Sequence, residues 1–320
     1  MRLPHKDIQT LYNNGYITTT CNKEIRIKEI CIKDIQYAYN AFNNGMHVST
    51  ISFENCSTYD MPDEQNCDYA KFSDMLMEIR DLTIDDGSIL DICDVVSLCK
   101  NIEVLKISSY WNMDEYSIDE LLTSASNLKS VSIPSLNDDA VSTCNMIEDL
   151  DASHSHIMTC APFAKTLKKL TASRTGIDDE GLALCTRLKI LMVSEQYLIT
   201  TCAPFAKTLK KLTASKSCID DEGLALCTRL KILMVSNQPT ITTCAPFAKT
   251  LKQLHADGAT CGITDAGLQL CTRLRILNVT NNTKIASCIP FAKTLKTLHY
   301  RGSGICADQI RLCKKLRFKK

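Results

Sequence analysis

The sequence contains long internal copies of itself. Residues 159–173, TCAPFAKTLKKLTAS, recur unchanged at 201–215, and residues 178–194 recur unchanged at 220–236. We call the unit that begins at Thr159 and again at Thr201 the long repeat. It strongly constrains the fold, because each copy is one unit that buries its apolar side only by stacking on the next copy. The chain is therefore predicted to be a stack of similar turns along most of its length.

Each long repeat divides into two short units that share the pattern L-x-x-L-x-(small apolar residue). The first leucines of the clear copies, from Leu167 onward, follow one another at a constant spacing except for one slightly longer step. Weaker copies precede them, so the pattern is predicted to start at residue 27. The first apolar positions are Ile27, Val48, Ile79, Ile102, Leu128, Ile147, Leu167, Leu188, Leu209, Leu230, Leu251, Leu274, Leu295 and Leu316.

A period of roughly 20–29 residues with L-x-x-L-x-L is the signature of leucine-rich repeats. The fourth and sixth positions alternate inward from a short strand, and the returning segments DDEGLALC and TTCAPFAKT are predicted to be short helices. Asp178, Asp179, Thr200 and Thr201 are predicted to cap these helices. The predicted fold class is α/β, a leucine-rich repeat solenoid curved as a horseshoe, with a parallel β-sheet on the concave face and short helices on the convex face.

A longer motif adds a resemblance to a known subfamily. The spacing C-x-x-L-x-x-L-x-(L/V/A) occurs with Cys99, Cys144, Cys185, Cys227 and Cys271. It resembles the cysteine-containing leucine-rich repeats of F-box/leucine-rich-repeat proteins, although alternate repeats carry alanine at the cysteine position. The resemblance implies a substrate-recognition subunit of a cullin-type ubiquitin ligase, with a degenerate F-box in residues 1–45.

Charged residues divide the chain into two halves of opposite sign. Residues 1–150 carry 11 Lys and Arg against 25 Asp and Glu, and residues 151–320 carry 26 against 11, which gives net charges of −14 and +15. The predicted domains are an N-terminal cap of helical or irregular structure at 1–26 and a solenoid at 27–320. Its repeats are degenerate and acidic over 27–150, and regular and basic from 151 onward. The charge separation predicts a monomer or weak charge-driven self-association.

The strand positions between the leucines are predicted to form the exposed face of the sheet. Apolar residues occupy them in every second repeat, and exposed apolar groups arranged in rows mark interaction surfaces. The predicted partner-binding residues on this face are Lys169, Ile190, Met192, Lys211, Ile232, Met234, His255, Asn278 and His299.

Basic residues gather beside the first leucine of each unit in the C-terminal half. In the predicted fold they form a ribbon along one edge of the sheet, which would attract a partner with an acidic surface over long range. A polar rim that keeps the solenoid in solution would explain the same residues, and that alternative stays open. The predicted contact residues on this edge are Lys168, Lys189, Lys210, Lys231, Lys252, Arg275 and Lys296.

The sequence favours a non-catalytic protein-protein interaction scaffold that binds through its concave face and basic edge. Duplicated units enlarge a binding surface, whereas an active site has one location. No Ser/His/Asp set, glycine-rich phosphate loop or HExxH motif stands out, so no enzymatic activity, metal site or cofactor is predicted. The ligase substrate receptor is kept as one alternative, and binding of nucleic acid or another polyanion by the basic half is the second. Nucleic acid is disfavoured because the repeated phenylalanines are expected in the core rather than as stacking platforms.

The 18 cysteines are predicted to be reduced thiols that fill small spaces in the core. Cysteine alternates with alanine or glycine at equivalent positions, which indicates a need for small volume rather than for reactivity. The opening MRLPHKDIQT contains no apolar signal sequence, and no stretch reaches the ~20 apolar residues of a membrane-spanning helix. An intracellular, cytoplasmic protein without a membrane partner is expected.

Overall fold

The structure is a computed structural model of the 320-residue chain. It describes residues 17–21, 24–27, 39–40, 42–43, 45, 47–54, 69–85, 92–108 and 115–319. The chain divides into two compact units, Met1–Asp151 and Ala152–Lys320. Both are built from short strands joined by turns and brief helices.

In the first unit the strands follow one another through the sheet in chain order. β1 pairs antiparallel with β2, and each later strand pairs parallel with the one before it. The strands are β1 (Ile17–Cys21), β2 (Glu24–Ile27), β3 (His47–Glu54), β4 (Asp81–Asp85), β5 (Val104–Ile107), β6 (Ser130–Ser132) and β7 (Asp149–Asp151). Residues 39–40 and 42–43 are helical, and the helices whose bounds are described are α1 (Ser73–Leu76), α2 (Ile92–Leu98), α3 (Glu115–Ser124) and α4 (Asp138–Val141).

The N-terminal segment differs from the sequence prediction at two points. Helical or irregular structure is predicted for residues 1–26, whereas β1 and most of β2 lie there as strands. The predicted repeat start at Ile27 is also wrong in register, because Ile27 pairs with Ile51 and so takes the second apolar position of the pattern. The pattern fits isoleucines 25, 27, 30 and 32 in two registers, and the sequence alone does not decide between these registers. The division into a cap and a solenoid stays a prediction.

In the second unit all strand pairs are parallel and join consecutive strands. Leucine is the middle residue of every strand from β8 to β14 and is buried in each of them. The strands are β8 (Lys169–Thr171), β9 (Ile190–Met192), β10 (Lys211–Thr213), β11 (Ile232–Met234), β12 (Gln253–His255), β13 (Ile276–Asn278), β14 (Thr297–His299) and β15 (Phe318–Lys319).

Apolar ladders fill the core of the second unit. The strand leucine, the first leucine of the pattern and the small residue after the strand have no exposed surface, as in Leu212, Leu209 and Ala214. Burying each leucine side chain stabilises the fold by ~1.5–3 kcal/mol relative to exposure. The repeated phenylalanines are buried, as predicted, and they are Phe163, Phe205, Phe247 and Phe291.

The segments that return to the next strand are shorter than predicted. TTCAPFAKT forms a single 3-10 turn, as at Ala203–Phe205, with proline in its first turn where the missing N–H is harmless. The two DDEGLALC segments form turns rather than helices. In the third copy threonine and alanine replace the first aspartate and the glutamate, and helix α5 (Asp265–Leu268) forms there with Thr264 as its N-cap. The last helix is α6 (Ala307–Arg311).

The predicted caps divide into two roles. Asp178 Oδ1 accepts a hydrogen bond from Gly181 N at 2.8 Å, and Thr201 Oγ1 accepts one from Ala203 N at 3.1 Å, so these two cap their own segments. Asp179 instead accepts hydrogen bonds from the backbone N–H groups of Thr200 and Thr201 in the next turn. The carboxylate therefore ties consecutive turns together.

Buried side-chain amides also link consecutive turns, in the segments that follow the strands. Gln238 has no exposed surface, and its Nε2 donates to the carbonyls of Ser217 and Ile219 at 2.9 Å. Asn282 Nδ2 likewise donates to Ala256 O at 2.9 Å. Since an unpaired buried carbonyl costs ~1–3 kcal/mol, these side chains stabilise the tight turns that the repeat requires.

Candidate functional site: the strand face and basic edge of the second unit

The first and third residues of β8 to β14 form one surface, which we call the strand face. These side chains are half-buried, while the leucine between them points into the core. Lys211 pairs with Ile190 on one side and with Ile232 on the other, without a register slip. Each position therefore forms a straight column across strands that are ~4.8 Å apart.

Basic and apolar rows alternate on the strand face. β8 and β10 present lysine and threonine, and we call these rows the basic rungs. β9 and β11 present isoleucine and methionine, and we call these rows the apolar rungs. The threonine hydroxyls donate weak hydrogen bonds to the neighbouring methionine sulfurs, at 3.9 Å for Thr171 to Met192 and 3.6 Å for Thr213 to Met234. The rungs are therefore in direct contact.

The strands β12 and β13 and the turns after them carry a cluster of polar side chains around His255. Gln253 Nε2 lies 2.8 Å from His255 Nε2, and because the amide donates, the imidazole accepts at that nitrogen. Burial lowers the pKa of His255, the charge of Asp257 opposes that effect and the charge of His299 adds to it. A neutral imidazole is what the contact with Gln253 requires.

Asp257 joins three turns at the end of this cluster. Its Oδ1 accepts hydrogen bonds from Ser236 Oγ at 2.7 Å and from Asn278 Nδ2 at 3.0 Å. Asn278 Oδ1 in turn accepts from Thr280 Oγ1 at 2.8 Å. The polar part of the strand face is thus held by side chains from three consecutive turns.

The residue before each strand is basic, and we call this column the basic edge. Its backbone locks the register, because each carbonyl accepts two N–H groups of the next turn, as when Lys189 and Ile190 donate to Lys168 O at 2.8 and 3.1 Å. The side chains are exposed or half-buried. The basic edge contains Lys168, Lys189, Lys210, Lys231, Lys252, Arg275 and Lys296.

A second charged column lies in the turn after the strands. Arg174, Glu195 and Lys216 stand at equivalent positions with positive φ, and Glu195 pairs with both neighbours. Hydrogen bonding to Arg174 and its charge, with a smaller contribution from Lys216, lower the pKa of Glu195. The acidic side chain therefore neutralises part of the basic charge at this end of the strands.

Cysteines of consecutive turns meet in the core. The thiols of Cys202 and Cys227 are hydrogen-bonded, which raises the pKa of Cys202 well above its usual value and lowers that of Cys227. The same contact joins Cys244 to Cys271. None of the cysteines whose side chains the structure describes forms a disulfide. Eleven of the thirteen described cysteines are buried, as predicted, but Cys218 and Cys306 are exposed, and the pairing of thiols was not predicted.

The sequence-predicted residues fall into three neighbouring columns, and no prediction among them is displaced to another surface. The first strand position holds Lys169, Ile190, Lys211 and Ile232. The third holds Met192, Met234, His255, Asn278 and His299. The basic edge holds the remaining seven. Their role in binding stays a prediction.

Sequence reasoning missed the side-chain contacts that organise this surface. Thr171 and Thr213 contact the methionine sulfurs, Gln253 contacts His255, and Asp257 links three turns. Phe318 packs its ring 5.2 Å from the ring of His299. Thr171, Thr213 and Gln253 occupy columns that the sequence predicts to be exposed, and Phe318 continues the first column into β15. The periodicity places these residues on the face but does not predict their contacts with neighbouring side chains.

Two further kinds of site are absent from the described residues. No group of three or more His, Cys, Asp or Glu side chains in that part of the chain is placed to hold a metal ion. None of the helices described is long and apolar enough to cross a lipid bilayer.

Comparison with known proteins bears on the fold. No protein-family model and no curated protein matches the chain. Among solved structures, an internalin (inlF) of Listeria monocytogenes matches with a TM-score of 0.50 and 16% identity, covering 98% of this chain and 93% of that one. A leucine-rich repeat protein of Leptospira interrogans matches with 0.50 and 12%, covering 99% and 100%. A chain of the yeast Rad7 and Elc1 complex matches with 0.51 and 14%, covering 92% and 87%.

The repeating units and these similar structures define the class. The chain is an α/β leucine-rich repeat solenoid, as the sequence predicts. The similar structures share little sequence identity with it, so they establish the fold alone. The cysteine-containing, F-box-associated subfamily is not established by them and stays a prediction.

Proposed function

We propose that this protein is a non-catalytic interaction scaffold that binds an acidic protein partner through the strand face and basic edge of its second unit. The alternation of apolar and basic rungs carries the proposal. Ile190, Met192, Ile232 and Met234 are half-buried on a solvated sheet face, where covering apolar area is favourable by ~25 cal/mol per Å². Methionine also adapts its shape to a partner surface.

The basic edge supports an acidic partner. Its side chains recur once per strand, ~4.8 Å apart, and like charges at that spacing create a positive potential that accelerates encounter with negative surfaces. The tail RLCKKLRFKK adds further positive charge to the same unit.

A protein partner fits the strand face better than nucleic acid. In the described strand-face columns of the second unit, Phe318 in β15 is the single Phe, Tyr or Trp, and none stands in β8 to β14, whereas single-stranded nucleic acid is usually bound on several such stacking platforms. Apolar rungs have no counterpart on a phosphate backbone. Polyanion binding therefore ranks second to protein binding here.

The ligase substrate receptor is the other candidate function. One similar fold occurs in a chain crystallised as part of the Rad7 and Elc1 complex, which is a protein assembly. Within residues 1–45 the described segments are the strands β1 and β2, helical residues at 39–40 and 42–43, and residue 45. The two strands favour the beginning of the sheet over an all-helical F-box. A cytoplasmic location with reduced thiols accompanies the proposal.

Capture of partners by matched variants tests the strand face. The full chain, Ile232→Glu and Leu226→Glu would be used as bait in lysate, with bound proteins quantified by mass spectrometry. Leu226 is 64% exposed in the segment before β11 and lies off the strand face, so it controls for the added charge. We expect Ile232→Glu alone to lose the partner. Equal recovery by all three baits would exclude the strand face.

Charge reversal tests the basic edge. Replacing Lys168, Lys210 and Lys252 by glutamate should slow association with the captured partner and flatten its dependence on salt. Replacing Lys165, Lys207 and Lys249 makes the same charge change in the same repeats, slightly earlier in each. If both triple variants associate at the same rate, charge alone acts and the basic edge has no specific role.

A further inference from the structure

The apolar rungs recur at every second strand. Isoleucine stands at the first strand position in β9, β11 and β13, as Ile190, Ile232 and Ile276. In the first two of these strands methionine completes the rung at the third position. The same chemical surface is therefore offered two or three times along a line that crosses the strands.

The spacing of the rungs limits what can bind several of them at once. Two strand separations amount to ~9.6 Å. A partner that repeats its contacts along this line must repeat them at nearly that distance. An extended β-strand presents one face every ~6.8 Å and fits poorly. One heptad of an α-helix advances ~10.5 Å and fits within a tenth of the spacing.

The width of each rung separates a helix from other periodic chains. The isoleucine and methionine of one rung are separated by a single residue on the strand, so the apolar patch is ~6.7 Å wide. A heptad helix covers such a patch with its paired a and d side chains. A polyproline II chain also repeats, every ~9.3 Å, but presents a single side chain per turn.

The basic side chains around the apolar rungs indicate which residues should flank the apolar stripe of the partner. The basic edge runs along one side of the strand face, next to the first position. Lys211 stands between the apolar rungs of β9 and β11, and Lys169 stands beside the rung of β9 on its other side. A helix that places Ile and Leu on the apolar rungs would therefore need acidic residues between them and along one flank.

We propose that the strand face takes an acidic amphipathic α-helix of a partner protein, laid across β9 to β13 with one heptad per pair of strands. The inference rests on the proposed function and specifies its ligand. Each added heptad would meet one more rung, so affinity should rise in steps with helix length until the rungs are used.

The probes are designed peptides rather than an unidentified protein. The first is a fluorescein-labelled peptide of three heptads, with Leu or Ile at a and d, Glu at e and g, and alanine elsewhere. The second has the same composition with its apolar residues scattered over all faces. The third is a proline-rich acidic peptide with an apolar residue at every third position. Binding to the full chain would be measured by fluorescence anisotropy, and helix content by circular dichroism.

We expect the heptad peptide to bind tightest and to gain helix content on binding. A two-heptad version should bind about tenfold more weakly, and Ile232→Glu should weaken the three-heptad peptide by about tenfold or more. Leu226→Glu should leave it unchanged. Equal binding of the scattered peptide, or tighter binding of the proline-rich peptide, would overturn the inference. If no peptide binds while partner capture still depends on Ile232, the helix inference fails and the proposed function stands.

Discussion

The hydroxyl of Thr213 in β10 donates to the sulfur of Met234 in β11, at 3.6 Å. The same contact joins Thr171 to Met192 two strands earlier. A basic rung thus orients the apolar rung beside it. A methionine side chain is otherwise free at three torsions, so this contact helps to hold the strand face in one shape before a partner arrives.

Replacing Thr213 by valine tests that orientation. Valine keeps the volume and removes the donor, so the methyl group of Met234 should become more mobile in NMR relaxation. The hydrogen bond is weak and half-exposed, and the free energy of unfolding should change by less than ~1 kcal/mol. Unchanged methyl relaxation would show that Met234 is held by packing alone.

Truncating a core leucine should cost far more than truncating an exposed one. Leu233→Ala removes a fully buried strand leucine and should lower the free energy of unfolding by ~2–5 kcal/mol. Leu226→Ala, at a side chain 64% exposed, should change it by less than ~0.5 kcal/mol. Urea denaturation of both variants makes the comparison, and similar losses would contradict the burial of Leu233.

A glycine that approaches the next turn should not accept a side chain. A Cβ at Gly223 would lie 2.1 Å from the carbonyl oxygen of Thr200, so Gly223→Ala must displace backbone and should destabilise by ~1–3 kcal/mol or more. At Gly176 the nearest atom is the flexible Cγ of Met158, at 3.2 Å. We expect Gly176→Ala to change the melting temperature little. Equal shifts in the two variants would argue against the close approach at Gly223.

Thiol labelling should separate the cysteines by exposure. Cys218 and Cys306 are exposed, whereas burial raises the pKa of Cys99 to about 12. Since the thiolate is the reactive form, iodoacetamide should modify Cys218 and Cys306 first among the thirteen cysteines whose side chains the structure describes. Peptide mass spectrometry over time gives the order. Early modification of Cys99 would mean that its turn opens readily.

His255 should make the protein less stable at mildly acidic pH. Its folded-state pKa is lowered, chiefly by burial, while Asp257 opposes and His299 adds to that effect. The unfolded chain therefore takes up a proton at a higher pH than the folded chain, and stability falls as pH drops through the unfolded pKa of His. In His255→Gln the urea midpoint should fall less between pH 7 and pH 5. An unchanged fall would assign the pH dependence to other groups.

The regular half of the fold is largely readable from the sequence. The leucines at Leu209 and Leu212 determine which residues face inward, and with a period of two along the strand they also place Lys211 and Thr213 on the outer face. The columns of the candidate site follow from that register. The repetition alone is enough for this assignment, because every copy places the same pattern positions in the core and on the outer face.

The sequence pattern did not predict the side-chain contacts between consecutive turns. Cys202 meets Cys227, whereas the position equivalent to Cys202 in the next short unit is Gly223, so no alignment of equivalent positions pairs the two thiols. The buried Gln238 and the bridging Asp179 likewise act on the neighbouring turn. The antiparallel β1 and β2 escaped prediction for another reason, since their isoleucines fit more than one register.

The close approach of glycine to the preceding turn has a consequence for how such a chain can change length. Cys160 N donates to Gly181 O at 3.0 Å, and Cys202 N donates to Gly223 O in the same way. A Cβ at Gly181 would lie 2.2 Å from Met158 O, so the position opposite Cys160 requires glycine, and Gly223 and Gly267 stand opposite Cys202 and Cys244 in the same way. Opposite Cys288 the last turn supplies Gln309 instead, whose side-chain oxygen accepts the hydrogen bond from Cys288 N at 3.1 Å. Between residues 159 and 267, removing one short unit that carries this glycine would place a cysteine where the preceding turn requires glycine, whereas removing one whole long repeat would leave every such pair matched. We therefore expect copy number between residues 159 and 267 to change by whole long repeats, so that the strand face lengthens or shortens in increments of two strands.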